Sequence, residues 1–85
     1  MLEKVKLALR INGSYFDSEI QDLIDASSAD LQSGGVKIDH DDKLQTMAII
    51  AYCKANYGYE DKDTSERFML TYQSIKAQIC TGGNA

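Results

Sequence analysis

Eighty-five residues with 9 Lys+Arg against 13 Asp+Glu, a net charge of −4, leave room for one domain whose core supplies only about 3–5 kcal/mol unaided. The acidic balance disfavours adhesion to nucleic-acid phosphates. No apolar run approaches the ~20 residues that cross a bilayer and no opening stretch reads as a signal peptide, so a soluble protein is expected.

Leu2, Val5 and Leu9 stand at i, i+3, i+7 and predict a short first helix ending near Asn12-Gly13. A second helix starts around Asp17-Ser18, either of which can cap it, and Ser18 and Gln21 have capping-box spacing. Ile20, Leu23, Ile24, Ser27 and Leu31 form its apolar stripe, with Asp22 and Asp25 on the far side, and Gly34-Gly35 closes it. Val36 and Ile38 make a brief extended link, after which Asp39 or Asp41 offers a cap for helix three. The carboxylates of Asp41 and Asp42 suit the positive end of its dipole.

The third helix, Leu44 to Tyr59, is apolar on nearly every side. Leu44, Met47, Ala48, Ala51 and Ala55 form one stripe flanked by Tyr52, while Ile49, Ile50, Cys53 and Tyr57 lie opposite. Only Gln45, Thr46, Lys54 and Asn56 interrupt. A helix apolar all round is buried all round, and this chain has little protein with which to bury it. Association with other copies or with another protein is the expected remedy. Gly58 ends that helix, and Tyr59 to Lys62 form a short polar connector. Asp63 and Glu66 have capping-box-like spacing for helix four, whose Phe68, Tyr72, Ile75 and Ile79 share a face. The expected architecture is all-α, a small bundle of about four helices around a long central third helix. Residues 1–80 form one domain and residues 81–85 a flexible tail.

Charge is unevenly placed. Lys4, Lys6 and Arg10 crowd the first helix, and Asp17, Glu19, Asp22, Asp25 and Asp30 follow on the second. The two helices can attract each other within a subunit or between subunits, or simply present solvated faces.

Catalytic and ligand-binding chemistry finds little support. Asp39-His40-Asp41-Asp42 holds metal-type donors, but neighbouring residues cannot converge on one ion and no second cluster accompanies them, so a capping segment is the reading. A calcium loop counted from Asp61 would need glycine where Glu66 stands and glutamate where Tyr72 stands. His40 is the single histidine, lies in a loop, and has no nucleophile paired with it in the sequence. The Gly-Gly pairs match no phosphate-binding pattern. Asp17-Ser18 is similar to the start of a phosphopantetheine attachment site, but Glu19 stands where such carriers have leucine, and only about sixteen residues precede it. A helix-turn-helix would need a recognition helix with exposed basic or amide side chains, which helices two to four do not offer. Cys53 and Cys80 sit within apolar helical patterns and read as reduced thiols serving as small core side chains in a cytosolic protein. No enzyme activity, cofactor or metal is expected.

The order of pieces resembles a known family. Val5-Lys6 with Leu9-Arg10-Ile11, Asp17-Ser18-Glu19-Ile20, Leu23-Ile24 with Ala26, Asp30-Leu31 and Gly35-Val36 are followed by the densest stretch: Ala48-Ile49-Ile50, Tyr52, Lys54-Ala55 and Tyr57-Gly58-Tyr59. Glu66-Arg67-Phe68 and Tyr72 complete it. This series resembles the head–tail connector (adaptor) family of tailed bacteriophages and prophages, also described as DNA-packaging proteins. It departs from the family at Ser27, where alanine is frequent, and in its glycine-rich ending. The resemblance implies a structural subunit assembling as a ring of about twelve copies by contacts that close with the rotation. The ring would sit beneath the portal protein in the virion neck, after assembly in the host bacterial cytoplasm. It would meet a neck or tail-completion protein and let DNA pass without sequence-specific binding or any membrane contact. The alternative is a small helical protein-binding module unrelated to virions. Candidate subunit contacts are Ile50, Cys53, Tyr57, Met69 and Leu70, which lie off the main core stripes. Glu19, Asp22 and Asp25 are candidates for an acidic channel or solvent face.

Overall fold

A computed structural model describes residues 1–57 and 61–82. These residues form four helices, α1 (Leu2–Leu9), α2 (Asp17–Ser33), α3 (Lys43–Asn56) and α4 (Lys62–Gly82). Among the described residues there is no strand. The fold is the small all-α bundle expected. Helix α3 is central in the sense that it packs against each of the other three. At 14 residues it is shorter than α4, which has 21.

Local chemistry explains the boundaries, and several differ from expectation. Helix α1 stops before Asn12-Gly13 because Arg10 takes the left-handed conformation (φ 59°), and the N–H groups of Arg10 and Ile11 return to the carbonyls of Leu7 and Lys6. That is the Schellman pattern, with arginine at the position glycine usually holds. Helix α2 ends the same way with glycine in place: Gly35 has φ +90°, its N–H reaches Gln32 O, and the Val36 N–H reaches Leu31 O. Val36 and Leu31 are both buried there, the apolar contact that accompanies such an end.

The caps moved along the chain. No side chain caps α2, because Asp17 is drawn instead to Lys6. Asp42, rather than Asp39 or Asp41, caps α3 by accepting from the N–H groups of Leu44 and Gln45 at 2.9 and 3.1 Å. Asp39 accepts from the Asp41 N–H and so shapes the turn before it. Asp61, rather than Asp63, serves α4, accepting from the Asp63 N–H and the Thr64 hydroxyl. These two bonds hold the Asp61 carboxyl below its ordinary pKa, the Thr64 hydroxyl contributing most. Helix α4 runs two residues into the segment expected to fray, and residues 83–85 lie outside the described residues; α3 ends at Asn56, with Tyr57 already extended, short of the end expected at Gly58, which itself lies outside the described residues.

The core gathers Val5 from α1, Ile20, Ile24 and Leu31 from α2, Ala48, Ile49, Ala51 and Cys53 from α3, and Tyr72 and Ile75 from α4. The α2 stripe is thus the one its spacing predicts, with Leu23 at its edge. Three polar residues are buried with them: Lys6, which pairs with Asp17, together with Ser27 and Gln45. Ser27 donates to the carbonyl of Ile24. Gln45 donates to Lys37 O at 3.0 Å and accepts from the Asp39 N–H at 2.8 Å, which stitches the 36–39 link onto α3. Both ends of its amide are satisfied, so its burial carries no unpaired group.

Candidate assembly surfaces

Helix α2 is fastened at both ends by aspartates. At its start, the Lys6 ammonium lies 2.8 Å from Asp17 Oδ1, with the lysine side chain 11% exposed. The hydrogen bond to Asp17 keeps the Lys6 pKa above its ordinary value, against the opposing effect of burial. Near its end, Asp30 Oδ2 accepts from the Tyr72 hydroxyl at 2.5 Å and from Lys76 at 3.0 Å, linking α2 to α4. Tyr72 and then Lys76 hold the Asp30 carboxyl below its ordinary pKa, while burial and Asp30 push the Tyr72 phenol upward. Tyr72 also meets Tyr52 of α3 edge-on, with ring centroids 5.1 Å apart. The cluster joins three helices and is structural in every contact it makes.

The expected contact residues divide. Leu70 projects from α4 and is 64% exposed. Ile50, Tyr57 and Met69 are half-buried around the core. Cys53 is not a surface residue at all: it is fully buried within the subunit, and burial pushes its thiol pKa up to about 12. Its place among the contact candidates is therefore corrected. Neither of the two α3 stripes enters the core as a unit: Ala48 and Ala51 of the first are buried while Leu44 and Met47 are exposed, and Ile49 of the opposite one is fully buried. Glu19, Asp22 and Asp25 are all exposed on α2, Asp25 accepting a bond from Gln21 at 3.0 Å.

Exposed apolar groups also occur away from the contacts that the spacing predicts. Leu7 on α1 is 78% exposed and Tyr15 in the α1–α2 turn is 89% exposed. Leu7 was detectable, because it stands two residues from Val5 and so nearly opposite it on a helix. Tyr15 and Phe16 stack edge-on at 4.8 Å, and Phe16 meets Tyr57 at 5.9 Å. This brings the start of α2 against the end of α3. A groove opens there, lined by Phe16, Glu19, Asp22, Leu23, Asn56 and Tyr57.

Among the described residues no group of three or more His, Cys, Asp or Glu side chains could hold a metal ion. No helix among them is long and apolar enough to cross a membrane. The 39–42 segment instead organises the start of α3, as its capping reading required. Residues 1–82 match the model of the phage connector protein family. The chain belongs to that family. As a phage connector it is a structural protein of the head–tail junction, and the reading as a binding module unrelated to virions is set aside. No curated protein and no solved structure matches the connector chain.

Proposed function

We propose that this connector assembles as a closed ring beneath the portal in the virion neck, extends the DNA channel, and offers its far side to a neck or tail-completion protein. The observation that carries the reading is the family match along nearly the whole chain. Physical features support it. A single small subunit leaves Leu7, Tyr15, Met47 and Leu70 more than half exposed, and repeated contacts in a ring provide cover for such side chains. Of the contact candidates, Leu70 meets this description, and Ile50, Tyr57 and Met69 are half-buried and keep part of their surface for a neighbour. The acidic net charge suits a conduit through which DNA slides rather than sticks, with Glu19, Asp22 and Asp25 exposed on one helix. This role needs no catalytic residue, cofactor or membrane.

Electron microscopy and light scattering across concentration, with and without the portal of the same phage, test the reading. Rings of about twelve copies, closed by one repeated contact, are the expected result. A chain that stays monomeric in both conditions overturns it. Ile50→Asp and Tyr57→Asp should each block assembly while leaving a helical monomer; unfolding of the monomer would instead place those residues in its core.

A further inference from the structure

The attraction between the basic first helix and the acidic second is only partly satisfied within the subunit. Lys6 and Asp17 pair with each other. Lys4, Arg10, Glu19 and Asp22 are all exposed, and none of them makes an ion pair among the described residues. The two leftovers are differently built. On α1, Lys4 and Arg10 flank exposed Leu7, with Glu3 beside them as the one acidic group of that face. On α2, Glu19 and Asp22 border the groove whose floor is apolar, formed by Phe16, Leu23 and Tyr57. One surface is an apolar knob with a basic rim, and the other is an apolar groove with an acidic rim.

Their directions also differ. Leu7 lies two residues beyond Val5, about 200° around α1 from the side chain that enters the core. Glu19 lies two residues beyond Asp17, about 200° around α2 from the carboxylate that receives α1. A subunit therefore cannot dock its own knob into its own groove. Arg10 adds an independent sign. It holds the left-handed position at the end of α1, with φ 59°, where glycine, lacking a Cβ, avoids the steric cost that other residues meet. A strained non-glycine residue whose side chain reaches solvent points to use of that side chain.

We propose that the α1 face of one copy, centred on Leu7 between Lys4 and Arg10, docks into the Phe16–Tyr57 groove of the next copy, against Glu19 and Asp22. The joint is head-to-tail, the kind that generates rings when its rotation closes. It rests on the connector reading and names the surfaces that reading leaves open. It commits Glu19 and Asp22 to the joint, and of the three exposed α2 carboxylates Asp25 alone stays free to face a channel or solvent.

The test is a charge exchange in the full chain. Variant one carries Lys4→Glu and Arg10→Glu; variant two carries Glu19→Lys and Asp22→Lys. All four positions are exposed, so circular dichroism should give helix content and melting close to wild type. Each variant alone should self-associate more weakly than wild type by roughly tenfold or more, by sedimentation velocity or by assembly on the portal. Mixed in equal amounts they should recover association, because every knob then meets a groove of opposite sign. The wild-type contact should also weaken with added salt. Wild-type association that withstands both reversals, or that the mixture fails to restore, overturns the joint and leaves the connector reading standing. A wild type that never multimerises, alone or on its portal, overturns the connector reading and the joint with it.

Discussion

Helix α3 presents two sides of nearly equal apolar character. Gln45, Ala48, Ile49 and Cys53 are buried, whereas Met47, Ile50 and Lys54 at i, i+3, i+7 lie on the outer side, with Met47 55% exposed. The buried side includes a glutamine, and the outer side includes a methionine and an isoleucine. Which side enters the core is therefore decided by where α2 and α4 lie, and not by the hydrophobicity of α3. A helix with little amphipathic bias takes its orientation from better-patterned neighbours.

The sharpest way to break this contrast is to place a charge on each side in turn. Ile49→Asp should leave the subunit largely unfolded, since an unpaired buried carboxylate costs more than about 4 kcal/mol and a small domain has little more than that to lose. Far-UV circular dichroism at 25 °C reads the outcome, and a normally folded Ile49→Asp protein would refute the assigned orientation. Gln45→Leu comes next. It strands the Asp39 N–H and the Lys37 carbonyl and should cost about 1–3 kcal/mol in urea unfolding, although leucine is the more apolar residue.

Tyr72→Phe should cost about 1 kcal/mol, because Asp30 is partly solvated and keeps Lys76. The same site predicts an acid dependence. The Asp30 pKa is depressed, so its contribution is present above the ordinary carboxylate range and is lost as pH falls through the lower folded-state value. Urea midpoints at pH 7 and at a pH below the ordinary carboxylate range should differ less for Tyr72→Phe than for wild type. A thiol probe gives a finer reading of the same core. Cys80, half-buried beside Gly34, should label in the folded protein, while Cys53 should label only on unfolding. The smallest effect belongs to the outer side: Met47→Asp should change monomer stability by no more than about 0.5 kcal/mol, and any larger loss would place Met47 in the core.

The all-α class and the stripes of α1, α2 and α4 were legible because each has a distinct apolar face repeating at helical spacing. The α2 stop at Gly34-Gly35 was legible because glycine there avoids the strain of positive φ. The α3 and α4 caps lie one to three residues from the places the spacing predicts, since a run such as Asp39 to Asp42 offers several acceptors of equal chemistry. Only the path of the link decides that Asp42 meets the α3 amides. Of the surfaces, the acidic α2 face followed from spacing, and Leu70 from its position opposite the α4 stripe. The exposure of Leu44 and Met47 and the groove between Phe16 and Tyr57 did not, while the burial of Cys53 fits its reading as a core side chain rather than as a contact. The sequence alone determined four helices and which side of three of them seeks a core, because those are properties of local periodicity. The tertiary structure alone decided how α3 is turned and where apolar surface is left over, because those depend on contacts between segments distant in the chain.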